Sequence, residues 1–468
     1  MTEIKSVTQT LAVWAAETPD IRAEGPLAKA RDAVLDTIGV IIAGVPDDAA
    51  RAVRRAVSLW GEGTSTVVGQ SVRLAAPWAA MANGTAAHAL DFDDSFPPVS
   101  GHSSAVMVPA LLALAEARGA SGHAVLDAYV VGLEIQARVG QAVNFEHYRR
   151  GWHSTSTVAT IGTAAGCARL MGLGVDGMRN AISIAVSTAA GSKRQFGSMV
   201  KPMHAGLAAK NAVMAAGLAA EGIEGNAEPL DGKWSFRELF AGIESPGFAV
   251  PLASLGAPLA IDEFGLSPKI YPCCASTHRS LDAVLAMRTA NGLNAADVKE
   301  IVTVVPPMNF DNLRFPDPTS EMERRFSMQY CLATAMTNGV VALKDFRPGG
   351  ETPSDVGQFM TKVEMRPHDG PVTQANPAAK EATIVEMHLT NGETLSASVE
   401  NQRGDGTQPL SDADYATKFL DCAGDALSGD ASVDLHKVIM GFEGLAGIGG
   451  VMDTLREIPL DAPQAAAE

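Results

Sequence analysis

Aromatic side chains are scarce: Phe, Trp and Tyr together supply 5 % of the 468 residues. Ala, Leu, Val and Met must therefore fill the cores. An Ala-rich, aromatic-poor chain favours helices, because Ala has the best helix propensity. Cysteine is also rare, and odd in number: Cys167, Cys273, Cys274, Cys331 and Cys422, with no CxxC. Such a set excludes a disulfide framework and argues against a structural zinc or iron–sulfur site. Positive charge is short, with 36 Lys and Arg against 53 Asp and Glu and a net charge of -17. The expected partners therefore include no nucleic acid and no anionic membrane surface. No run of eighteen apolar residues occurs, so no membrane span is expected. The first residues, MTEIKSVTQTLAVWAAETPD, lack a basic region followed by a cleavable apolar core. The expected location is cytoplasmic.

What the chain does have is length and apolar residues, 46 % of the total. That is too much for one ordinary core, so two domains are the default. Helical apolar spacing runs through 27–42, 75–90, 103–117, 124–143, 156–171, 178–190 and 202–221. No alternating pattern interrupts these segments, so the first domain reads as all-helical. The character changes near Ser267-Pro268. Residues 276–290 keep helical spacing, but 298–305 is rich in β-branched residues and reads as a strand. Two alternating runs, 381–390 and 393–399, flank Asn391-Gly392, a strong hairpin signal. Residues 361–365 are a further candidate strand. Ser411 to Asp414 reads as a capping box that opens another helical stretch. The expected organisation is α-rich with two domains. A large all-helical domain spans 1–266 with 405–468, and a smaller α/β (α+β) domain spans 267–404.

The chemistry gathers in a few places. D-F-D-D-S-F-P-P-V-S-G-H-S-S at 91–104 breaks two apolar helices with three carboxylates, two prolines and a histidine. His102-Ser103-Ser104 and His153-Ser154-Thr155 each precede a helix, and Lys201-Pro202-Met203-His204 opens another. Ser and Thr at such positions cap free N–H groups, and the helix start favours anions. Three such starts in an acidic chain point to a pocket for a small anion, with Lys201 expected just outside its helix. His88, Asp91, Asp93 and Asp94 offer two readings. They are hard metal ligands, or they are acid/base groups in which a carboxylate orients a His. Tyr148 is a candidate second acid/base group, and Lys193 adds positive charge near Lys201. Cys273 and Cys274 read as small buried wall residues without an evident base.

Six segments resemble the MmgE/PrpD family. They are N-G-T-A-A-H-A-L-D-F-D-D-S at 83–95, G-W-H-S-T-S-T at 151–157, K-P-M-H-A-G-L-A-A-K at 201–210, Y-P-C-C-A-S-T-H at 271–278, R-F-S-M-Q-Y at 325–330 and P-L-S-D-A-D-Y-A-T-K-F at 409–419. They fall in family order over nearly the whole chain. The resemblance implies a helical domain with a smaller lid domain, a homodimer, a small di- or tricarboxylate substrate and no cofactor or metal. Activities in this family include dehydration of 2-methylcitrate, decarboxylation of cis-aconitate and epimerisation of iminodisuccinate. By similarity, Asp91, Ser95, His102, His153, Lys201 and Tyr330 match pocket positions of the decarboxylating members. Ser95 stands where those carry Thr, and Cys274 where they carry a His. The expected function is a cofactor-independent hydro-lyase, with an epimerase as the alternative. A decarboxylase and a non-catalytic anion-binding protein stand behind both.

Overall fold

A computed structural model describes residues 6–346, 350–368, 382–424 and 426–458. The chain divides into two units. One holds the residues up to Pro268 together with those from Ser411; the other runs Lys269–Leu410.

The first unit is built on helices α1 (Val7–Glu17), α2 (Glu24–Gly44), α3 (Asp48–Val57), α4 (Ala76–Ala89), α5 (Ser104–Arg118), α6 (Gly122–Val143), α7 (Glu146–Arg149), α8 (Val158–Leu170), α9 (Val175–Thr188) and α10 (Val200–Ala220). The long helices fall where helical apolar spacing places them. Side chains from Ser6 and Ser121 accept N–H bonds at the starts of α1 and α6. One expectation is corrected. A two-stranded antiparallel sheet, Glu62–Thr66 with Arg73–Leu74, interrupts the helices, so the unit is not purely helical. Its short strands, one of them only two residues long, give no alternating run to read.

The core is rich in alanine beside its Leu, Ile and Val, and small residues let some helices approach closely. A Cβ on Gly206 of α10 would overlap both the Met81 carbonyl oxygen and Thr85 Oγ1 of α4. A Cβ on Gly84 would meet Gly206 Cα at 3.1 Å. The α4–α10 crossing therefore depends on glycine at both faces. It brings the C-terminal turn of α4 and the N-terminal turn of α10 together. Helix Asp412–Ala423, opened by the Ser411/Asp414 capping box, packs on α2. There Lys418 Nζ lies 2.7 Å from Asp36 Oδ1 and donates to the Phe92 carbonyl at 2.8 Å. The segment after α4 is thus tied to a helix more than 300 residues away in sequence.

The second unit holds a four-stranded mixed sheet in the order β4-β3-β5-β6. Its strands are β3 (Val298–Val305), β4 (Val363–Pro367), β5 (Thr383–Leu389) and β6 (Thr394–Val399), with β1 and β2 the pair already described. β3 pairs parallel with β4 and antiparallel with β5, with Ile301 opposite Val363 and Met387. β5 and β6 form the hairpin that Asn391-Gly392 announces, with Gly392 at φ 92°. Helices His278–Asn291 and Met328–Asn338 pack in the same unit.

Candidate active site

Helix α4 ends at Ala89, and Asp91 follows in the left-handed region at φ 51°. Aspartate tolerates this conformation better than most residues. Its carboxylate forms a buried ion pair with Lys201 Nζ, although 110 residues separate the two. Lys201 is the second residue of α10, not a residue outside it. The helix starts at Val200 because Pro202 is accepted in the first turn, where an N–H has no helical partner.

Asp93, two residues on, is fully buried and meets two imidazoles with one oxygen. His88 Nδ1 lies 2.9 Å from its Oδ2 and 3.1 Å from its Oδ1. His102 Nδ1 lies 3.0 Å from Oδ2, close but not aligned along a straight N–H···O line. Burial pushes the Asp93 pKa up. The charges and hydrogen bonds of His102 and His88 outweigh it and hold the carboxyl well below its usual range. An ionised carboxylate only accepts hydrogen bonds. The proton that His88 shares with it is therefore on Nδ1, and Nε2 keeps the lone pair. Burial lowers the His88 pKa to about 3, so this ring is neutral near pH 7.

The second histidine motif joins the first through its turn. The His102 N–H donates to Thr155 Oγ1 at 3.0 Å, and a Cβ on Gly101 would press on the Thr155 nitrogen at 2.9 Å. His153 stacks beside His88 with ring centroids 5.7 Å apart, and its Nδ1 lies 3.1 Å from His204 Nδ1. One of these nitrogens donates and the other accepts. Burial first, then the charges of His88 and Lys201, hold the His153 pKa well below its usual value. Burial and Lys201 lower that of His204 to about 4. Phe196 connects the remaining candidates. Its ring lies edge-on to His153 at 5.0 Å, with Lys201 Nζ at 5.5 Å and Lys193 Nζ at 6.0 Å. Lys193 also sits 3.3 Å above the Tyr148 ring centroid.

The expected side-chain caps are corrected. Ser103 and Thr157, the residues before α5 and α8, make no side-chain cap bond. At α5 a carboxylate takes the role: Asp94 Oδ1 accepts the Ser104 N–H at 3.3 Å. Its other oxygen accepts from the Ser104 hydroxyl, which contacts Tyr129 Oη at 2.7 Å. Burial, opposed by the Ser104 hydrogen bond, pushes the Asp94 pKa up to about 7. Thr157 Oγ1 instead meets His147 Nε2 at 2.9 Å. The acidic group at the start of α5 is thus the protein's own.

The other named residues are placed as follows. Ser95 pairs by its backbone with Ser267 at 2.8 and 2.9 Å. Tyr330, Cys273 and Cys274 belong to the second unit and are buried there. The Tyr330 hydroxyl donates to the Asp345 carbonyl. Cys273 Sγ lies 3.1 Å from Thr277 Oγ1. Burial alone would raise its pKa, but hydrogen bonds from Cys331 and His278 bring it below that of a free thiol. Both cysteines are buried, and His278 Nε2 lies 3.2 Å from the Cys273 carbonyl oxygen. His278 stands five residues on, at the start of the helix His278–Asn291.

The donors of His88, Asp91, Asp93 and His102 all lie within 4.8 Å of one another. The first unit thus concentrates, in one buried cluster, the groups that move protons next to a negative charge. A metal ion fits this cluster poorly. The Asp91 carboxylate already holds an ammonium, which a cation would have to displace, and Asp93 is turned to two imidazole Nδ1 atoms.

Sequence comparisons agree in class. Residues 9–249 match the MmgE/PrpD N-terminal domain and residues 271–438 the MmgE/PrpD C-terminal domain, so the chain belongs to the MmgE/PrpD family. It is 30 % identical to human cis-aconitate decarboxylase over 445 residues, covering 92 % of this chain and 90 % of that protein. Identity to the mouse cis-aconitate decarboxylase is also 30 %, over 90 % and 87 % of the two chains. For the cis-aconitate decarboxylase of Aspergillus terreus it is 26 %, over 98 % and 97 %. Among the described residues, no helix is long and apolar enough to cross a membrane.

Proposed function

We propose that this protein is a lyase that needs no metal or organic cofactor and acts on a small polycarboxylate. It transfers a proton at the carbon next to a carboxylate and eliminates water from a hydroxylated tricarboxylate of the 2-methylcitrate type. The observation that carries the reading is the single cluster of Asp91, Lys201, Asp93, His102, His88 and His153. Removing such a proton builds an enolate-like dianion, and fixed cations and donors stabilise it where it forms. Lys201, exchanging part of its pairing with Asp91, takes a substrate carboxylate. His102 has a side chain 14 % exposed, whereas those of Asp91, Asp93 and His88 are nearly or fully closed off. It is therefore the member that meets both substrate and solvent, and it moves the proton. His153, neutral at working pH, is the second proton-transfer group. Tyr148 and Lys193, linked through Phe196, donate to the substrate's outer oxygens.

A second reading is favoured by the relatives, which are named for cis-aconitate decarboxylation. The same cluster serves it, since protonating the carbanion left by CO₂ needs the same groups. The purified protein, with and without EDTA, is incubated in D₂O with 2-methylcitrate, citrate, cis-aconitate and iminodisuccinate and followed by proton NMR. A new vinyl pattern with loss of water supports the dehydratase. Loss of CO₂ from cis-aconitate supports the decarboxylase. Deuterium entering iminodisuccinate without net loss means an epimerase, and silence across the panel refutes the substrate class. Loss of activity to EDTA, restored by one metal, would overturn the metal-free reading.

A further inference from the structure

Asp93 does not meet substrate in any of these schemes, yet it is the most connected group of the cluster. Its carboxylate is completely buried, while His102, against it, has the cluster's most exposed side chain. We propose that Asp93 is a positioning residue, whose carboxylate holds His102 by Nδ1 and so directs its Nε2 at the reacting carbon. This rests on the reading of His102 as the proton-transfer group.

The geometry supports it in two ways. First, an ionised carboxylate 3.0 Å from Nδ1 stabilises the tautomer with its proton there and leaves the lone pair on Nε2. That nitrogen lies on the side of Asp91, 3.9 Å from its Oδ1, and Asp91 carries Lys201. Second, His88 grips Asp93 through both carboxylate oxygens. Both contacts come from one nitrogen, Nδ1, which anchors the carboxylate while His102 takes up or releases a proton. His88 is thus the clamp, buried and neutral, and not a second base.

The experiment has two readouts on the full chain. Selective ¹⁵N labelling of histidine, assigned with His102→Asn, reports which His102 nitrogen carries the proton. In the unaltered protein the expected form is Nδ1–H. In Asp93→Asn a mixture with Nε2–H is expected. In turnover, kcat of Asp93→Asn falls about 10²- to 10⁴-fold with KM within about threefold, as expected when the wrong tautomer is presented. A merely structural aspartate would not move the tautomer. Nε2–H in the unaltered protein overturns the proposal without any variant, so a poorly folding Asp93→Asn does not rescue it. Unchanged kcat in a folded Asp93→Asn overturns it as well. The nitrogen signal needs no substrate. Absence of turnover in the unaltered protein would therefore sink the lyase reading and leave the tautomer result to decide on Asp93.

Discussion

Acid should weaken this fold through its buried histidines, and His147 is the cleanest place to test that. Its Nε2 lies 2.9 Å from Thr157 Oγ1 and its Nδ1 3.2 Å from Ser154 Oγ, away from the Asp93 network. Burial, helped by the charge of Lys193, lowers its pKa from 6.5 to about 3. The unfolded chain therefore takes up a proton as pH falls through 6.5, and the folded protein does not until about 3. The unfolded state binds more protons across that window, so stability rises with pH there. His147's contribution is fully present above 6.5 and is lost as pH falls toward 3. Between pH 7 and pH 5 the linkage relation gives about 2 kcal/mol for this one group. His147→Gln keeps a donor and an acceptor but does not titrate. Urea unfolding followed by helical circular dichroism at pH 5, 6 and 7 should show a dependence flatter by about that amount. Asp94 supplies the opposite sign. Its pKa rises from 3.8 to about 7, so its contribution is complete below 3.8 and is lost as pH climbs through 7. Asp94→Asn should therefore steepen the same dependence, again by about 2 kcal/mol between pH 5 and pH 7. If both variants change the slope in one direction, or neither changes it measurably, the burial argument is wrong.

Three further outcomes are expected. Lys201→Met removes the cation from the buried Asp91 carboxylate, so it should abolish turnover and cost about 3–5 kcal/mol in chemical unfolding; full stability would refute a buried pair. Lys418→Met does the same to Asp36 and also releases the Phe92 carbonyl. It should cost about 3–5 kcal/mol and lower activity through the 91–104 loop, seen as altered histidine NMR signals at His102. Gly206→Ala forces a Cβ against the backbone of α4. A loss of about 1–3 kcal/mol in thermal and urea unfolding, with reduced activity, is expected; unchanged stability would show that the crossing is not close-packed.

Much of this architecture is written locally. Helical spacing places α4, α5, α6, α8, α9 and α10 within a few residues of their observed ends. Asn391-Gly392 announces the β5–β6 hairpin, and Ser411 with Asp414 opens the last helical stretch. These are short-range signals, since turns, caps and periodicity need only neighbouring residues. The same holds for the motif residues. Asp91, His102, His153 and Lys201 stand out in the sequence because each sits at a helix boundary with unusual chemistry. The strand pair β1–β2 was not legible, because two- to five-residue strands carry no period.

Partners were beyond that reach. Sequence order alone leaves His88 and Asp93 open as metal ligands or as acid/base groups, and it sets Lys201 outside its helix. Close packing of α4 on α10, permitted by Gly84 and Gly206, decides that Lys201 meets Asp91, and packing of α8 on α10 that His153 and His204 meet. The loop from Asp91 to Ser104 decides that one Asp93 oxygen serves two imidazoles and that Asp94, not a serine hydroxyl, caps α5. Residue types and local conformation are properties of neighbouring residues in the chain. Which charge is buried against which, and hence which histidine can hold a proton, is set by segments up to hundreds of residues apart that only packing brings together.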